Sequence, residues 1–192
     1  MGTRGICGFF ANGELKISYN HFDSYPSALG NDCLEHAKWM SRSKDDLRWN
    51  KEAVKRIRLV NEDQPVTNQD ITDYDQYADL SVSTSSPKDW YCLLRRLQGK
   101  TKETLEAGIM LDAGRFPEDS VFCEWGYIIN LDDEVFEIYR GFQKEPHTDG
   151  RFSHLRNFVN ETYDGEVYYP IRLIEAIPFS KLPESLDHIP DD

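Results

Sequence analysis

Asn12-Gly13 divides two seven-residue runs, Gly5–Ala11 and Glu14–Asn20. This dipeptide best supplies the two positive φ angles of a tight type I′ turn, so the runs are expected to form an antiparallel hairpin. A two-residue turn also fixes the register, with Ala11 opposite Glu14. Phe10 then opposes Leu15, Gly8 opposes Ile17, Ile6 opposes Tyr19, and Arg4 opposes His21. These mostly apolar residues share one face, which is expected to pack against the core. Thr3, Gly5, Cys7, Phe9, Lys16 and Ser18 occupy the other.

The elements that follow can be read from periodicity and caps. Pro26 suits the first turn of a helix in which Leu29, Cys33, Ala37 and Met40 share a face. A second helix is expected over 44–60, and a short one around 71–80 inside the acidic stretch 61–85. Ser86 and Pro87 announce another helix, with Trp90, Leu93, Leu94 and Leu97 as its apolar stripe and Gly99 as its end. A further helix is expected over 101–109. After Pro117 the pattern turns to strands, over 121–131, 135–141 and 167–179, the first two joined at Asp132-Asp133. The polar stretch 143–165 is expected to hold a short helix around 152–159. The implied fold is α+β: an antiparallel sheet built from the N-terminal hairpin and the C-terminal strands, covered by central helices. It forms one domain over 1–182, followed by an acidic, proline-bearing tail over 183–192 that is expected to fray.

Composition excludes several classes. With 39% hydrophobic and 12% aromatic residues the chain has the means to build a core and is not a disordered protein. No apolar run reaches the ~20 residues of a membrane span. The net charge of −12 disfavours nucleic acid and anionic membrane surfaces as partners. The basic run 51–58 alternates with apolar residues, as a solvated helix face does. Cys7, Cys33, Cys92 and Cys123 are widely spaced within apolar stretches, which reads as buried reduced thiols in a cytoplasmic protein. His21-x-Asp23 and His147-x-Asp149 lack a third ligand at helical spacing, so no metal site and no cofactor is inferred.

The strongest functional signal is the run Tyr19-Asn20-His21-Phe22-Asp23-Ser24-Tyr25-Pro26, placed where a strand hands over to a helix. Rigid elements on both sides can hold such a loop in position, which is where site residues concentrate. The register sets Arg4 beside His21, with Tyr19 adjoining and Asp23 two residues on. In the functional reading His21 is a general acid or base, Asp23 orients it, and Arg4 binds an anionic group or a developing negative charge. Tyr19, Asn20, Ser24 and Tyr25 would shape the pocket for a small polar or anionic ligand. In the structural reading Arg4 simply pairs with Asp23 and His21 caps the first helix. Cys7 lies mid-strand on the face away from His21, which disfavours a Cys–His dyad within the hairpin. Two functions fit this constellation: a hydrolase of small amide or phosphate-containing molecules, or a non-catalytic protein that binds a ligand or sequesters a partner.

Thr3-Arg4-Gly5, the stretch Tyr19-Asn20-His21-x-Asp23-Ser24-Tyr25-Pro26 and the Leu29-Gly30 that follows resemble a group of uncharacterised bacterial, phage and fungal proteins. These open with TRG and carry YNHxDSYPxxLG; the likeness extends to residues 125–140. The resemblance implies no particular activity. A looser likeness is to N-terminal nucleophile hydrolases, in which Cys, Ser or Thr heads the first strand. Some members of the TRG group begin Met-Cys-Thr-Arg-Gly, which would suit that chemistry. Here Gly2 stands at that point, and the pattern is broken.

Overall fold

The computed structural model describes residues 2–160 and 166–191. Nine strands occur among them: β1 (Gly5–Ala11), β2 (Glu14–Asn20), β3 (Arg58–Val60), β4 (Ile109–Leu111), β5 (Trp125–Asn130), β6 (Val135–Arg140), β7 (Phe158–Asn160), β8 (Glu166–Tyr168) and β9 (Arg172–Pro178). Five helices accompany them: α1 (Asn31–Met40), α2 (Lys44–Arg56), α3 (Asn68–Tyr74), α4 (Trp90–Leu93) and α5 (Thr101–Ala107). The main sheet runs β2-β1-β5-β6-β9 and is antiparallel except where β1 lies parallel to β5. The N-terminal hairpin thus joins the C-terminal strands in one α+β sheet with helices packed alongside.

The hairpin adopts the register set by its turn, from Ala11 opposite Glu14 to Gly5 opposite Asn20. Asn12 and Gly13 take φ of 54° and 76°, the pair that a type I′ turn requires. The two backbone N–H groups at this turn donate to the Asp132 carboxylate at 3.0 and 2.8 Å. The turn between β5 and β6 is therefore clamped to the turn between β1 and β2.

The helices cover the face that carries Cys7, Phe9 and Ala11, not the one expected to face the core. Leu34, Ala37 and Met40 of α1 and Val54 of α2 pack there with Tyr127 and Ile129. The Ile6 and Ile17 face is buried as well, beneath Phe152 and Ile171. Strand β1 lies between two neighbours and is covered on both sides, so alternation alone cannot say which side the helices take. A third cluster joins Val60 and Ile109 of β3 and β4 to Trp90, Leu93, Leu94 and Leu97.

Several boundaries differ from the sequence reading. Helix α2 stops at Arg56, because Lys16 Nζ captures the carbonyls of Lys55 and Ile57 at 3.0 and 2.7 Å. Residues 58–60 then pair in parallel with β4. The helix expected from Ser86 begins only at Trp90, where Asp89 accepts the Tyr91 N–H at 2.9 Å; Ser86 caps the turn before it. The 152–159 segment forms turns and then strand β7, paired with β8, in place of a helix. The tail, as far as residue 191, is tied to the body at two points. Leu186 is fully buried and donates its N–H to Asn31 at 2.8 Å, and Ser27 Oγ donates to Asp191 at 2.6 Å. All four cysteines are buried and free. No helix among the described residues is long and apolar enough to cross a membrane.

His36 on α1 is 6% exposed, its Nδ1 bonded to Thr101 Oγ1 at 2.8 Å and its ring edge-on to Phe9. Burial, helped by Lys102, lowers its pKa to about 4. Between pH 6.5 and 4 the unfolded chain therefore binds a proton that the folded chain refuses. Stability falls as the pH drops through that window, by about 2–3 kcal/mol from His36 alone. Denaturant unfolding at pH 7.5 and 4.5 should show His36→Gln losing less stability than the parent; equal losses contradict the assignment.

Candidate functional site

The strand-to-helix junction is built around Ser24, whose side chain is fully buried. Its N–H donates to the Thr3 carbonyl at 3.1 Å, and its own carbonyl accepts from Tyr127 Oη at 3.0 Å. Asn20 Nδ2 donates to Ser24 Oγ at 2.8 Å and also to the Phe22 carbonyl. Gly5 makes this closeness possible, since a Cβ there would lie 2.4 Å from the Trp125 carbonyl oxygen and 2.8 Å from Ser24 Cβ. Asp23 sits at φ 53°, a left-handed conformation that Asp tolerates better than most residues, and its carbonyl accepts the Leu29 N–H at 3.2 Å. The Tyr25 carbonyl accepts the N–H groups of Ala28 and Gly30, which forms the wide first turn Pro26–Gly30.

The Asn20 amide and the Ser24 hydroxyl bond within the loop, Tyr25 contributes its backbone carbonyl to it, and none of the three walls either of the two cavities beside the loop. Asp23 is exposed and makes no side-chain hydrogen bond to His21 or Arg4 among the described residues. The partner of His21 is Tyr19, whose Oη lies 2.6 Å from Nδ1. Residues 19 and 21 share a face of β2 and its extension, whereas the loop turns away before Asp23 is reached.

Tyr19 and His21 stand at adjoining concavities. A cavity of about 840 Å³ is walled by Tyr19, Tyr91, Leu94, Met110, Phe116 and Asp119, among others. A second, of about 600 Å³, is walled by His21, Phe22, Ser83, Asp89 and Arg95. The two share Glu62 and Tyr91 in their walls, so they adjoin as neighbouring chambers. Tyr19 packs edge-on to Phe116 with centroids 5.1 Å apart and lies 6.4 Å from Tyr91. Arg4 walls neither chamber; its guanidinium lies over the exposed Phe122 ring, 5.1 Å from the centroid.

The electrostatics follow from this geometry. His21 is held below its ordinary pKa, first by burial and then by the positive charges of Arg95 and Arg4, so it is neutral at pH 7. Burial also raises the Tyr19 hydroxyl, against an opposing pull from Arg4. The Asp119 carboxyl is raised by burial too, although it accepts the Phe122 N–H at 3.3 Å. No group of three His, Cys, Asp or Glu gathers into a metal-binding cluster among the described residues.

Tyr91, Arg95 and Asp119 escaped the sequence reading. The first two had a signal. They lie four residues apart, and Arg95 covers the Tyr91 ring at 5.4 Å, so the polar side of the Trp90–Leu97 stripe was legible as a face. Asp119 had none, because it meets the site only through tertiary packing. In comparisons with family models, curated proteins and solved structures, the chain matches none.

Histidine proton NMR should find His21 titrating below 6.5, with Arg95→Gln moving the midpoint upward. A parent midpoint at or above 6.5, or no movement in the variant, would contradict this electrostatic account.

Proposed function

We propose that this protein is a hydrolase of small molecules that works from the two-chambered cleft, with His21 as general base. The observation that carries the reading is the Tyr19–His21 contact at 2.6 Å, held at the walls of adjoining cavities. With Nδ1–H donated to the Tyr19 oxygen, Nε2 keeps its lone pair and takes a proton from water. The resulting hydroxide attacks the carbonyl carbon or phosphorus of the substrate. The imidazolium then returns the proton to the leaving group as that bond breaks. Tyr19 is the positioning residue, in the part first expected of Asp23. Arg95 in the chamber wall stabilises the developing negative charge, and Arg4 adds to the positive field from behind. The neutral imidazole required of a base at pH 7 is what burial and the two arginines favour.

A second reading, ligand binding or sequestration without turnover, draws on a different observation. All four thiols are buried, and none walls either chamber, so the cleft holds no cysteine nucleophile. A panel of small esters, amides and phosphate esters, assayed with the parent and His21→Ala, separates the two. The hydrolase reading expects turnover that falls by about 10²-fold or more in the variant. Turnover undiminished by the substitution removes His21 from the mechanism. A compound that raises the melting temperature and is recovered intact favours binding alone.

A further inference from the structure

The larger chamber has a character of its own. Its floor is apolar, formed by Leu94, Leu97 and Met110, all nearly fully buried. Three aromatic rings, Tyr19, Tyr91 and Phe116, stand along it, with Tyr19 within 6.4 Å of both others. Five carboxylates line it, from Glu62, Asp63, Asp112, Glu118 and Asp119, against the single guanidinium of Arg115. Arg115 is already engaged with Glu118 at 3.7 Å. Glu62, Asp63 and Asp119 have no ion-pair partner among the described residues. Gln98, also in the wall, gives its Oε1 to Arg95 and leaves its buried Nε2 without a partner.

We infer that this chamber takes an organic cation: an ammonium group carried on an apolar body. The inference rests on the cleft being the functional site, and it names the chemical class of molecule that the cleft accepts. An anion entering here would meet the carboxylates of Glu62 and Asp63, which are exposed and without an ion pair, and that of the partly buried Asp119, which only the more distant Arg4 offsets; like charges repel. A neutral apolar molecule would fill the floor and leave those carboxylates unanswered. An ammonium ion gains on both counts, since aromatic faces attract cations within about 6 Å of the ring centroid and the carboxylates supply the opposite charge. The chamber's volume of about 840 Å³ lies within the range typical of small-molecule sites, about 300–1,000 Å³. The polarity also differs between chambers. Arg95 and His21 stand on the side of the smaller one, so the cationic end of a substrate would lie away from the atoms undergoing hydrolysis.

Calorimetry with phenethylamine, benzyltrimethylammonium and 3-phenylpropionate tests the assignment on the intact protein. The first two should bind, and the anion should bind at least tenfold more weakly. Affinity for the cations should fall as salt is raised. Asp119→Asn should weaken them about fivefold, the effect of losing one partly screened charge contact worth about 1 kcal/mol. Because Asp119 also braces the chain at Phe122, Glu62→Gln is the companion variant; its side chain is exposed, so the fold should not depend on it. Preference for 3-phenylpropionate overturns the inference, as does cation binding unaffected by salt and by both substitutions. Failure of all three probes to bind overturns it too. These outcomes are separate from turnover. Cation binding together with no turnover anywhere in the panel of esters, amides and phosphate esters would remove the hydrolase reading and keep the inference, whereas hydrolysis confined to anionic substrates would do the reverse.

Discussion

A buried backbone amide must find a partner or cost the fold about 1–3 kcal/mol, and this chain buries a full set of polar atoms where β2 turns toward α1. Ser24 lies inside the protein with its N–H, carbonyl and hydroxyl all spoken for, by Thr3, Tyr127 and Asn20 respectively. These three bonds tie the N-terminal segment, the central strand β5 and the end of β2 to one point. Gly5 lets the strands come that close. Tyr19 is directed by its place in the β2 ladder opposite Ile6, and His21 stands between the last pair of β2, Gly5 with Asn20, and this anchor. The polar richness of the run is therefore mostly the cost of burying a sharp turn, and three of its residues, Tyr19, His21 and Phe22, wall the cleft.

The face of the sheet away from the helices has its own constraint. Glu137 is buried with Asn130, Tyr139 and Arg151 as partners, and the arginine also covers Phe10 at 4.0 Å from the ring centroid. Arg151 holds its carboxyl below the ordinary range against the opposing effect of burial. This network fastens the segment that carries Phe152 onto β1 and β6. Both faces of the hairpin are thus fixed, one by helices and one by a charged strap.

Legibility in the sequence tracked how local each determinant is. The hairpin register could be read to the residue, because Asn12-Gly13 dictates the turn and each later pair follows. The stripe of Trp90, Leu93, Leu94 and Leu97 was equally plain from spacing, although the helix that carries it is only four residues long before it tightens into a further turn. Asp23 shows where local reading stops. Two residues from His21 along an extended chain it would be a neighbour, but its positive φ turns it out of reach. The acidic segment 61–85 showed only a short helix around 71–80 and no site signal, and it supplies Glu62, Asp63 and Ser83 to the cleft. Nothing in its own pattern indicates that, since its place is set by Arg58 pairing with Asp70 and by Trp90 Nε1 donating to the Gln64 carbonyl at 2.9 Å.

The central claim is a division of labour within one short run, with Asn20 and Ser24 holding the turn while His21 serves the cleft. Denaturant unfolding of Asn20→Ala beside His21→Ala tests it most directly. Removing the Asn20 amide strips partners from Ser24 and Phe22 inside the turn and should cost about 2–3 kcal/mol. Removing the partly buried imidazole should cost about 1 kcal/mol or less. If His21→Ala proves as destabilising as Asn20→Ala, His21 belongs to the scaffold, and the division does not hold.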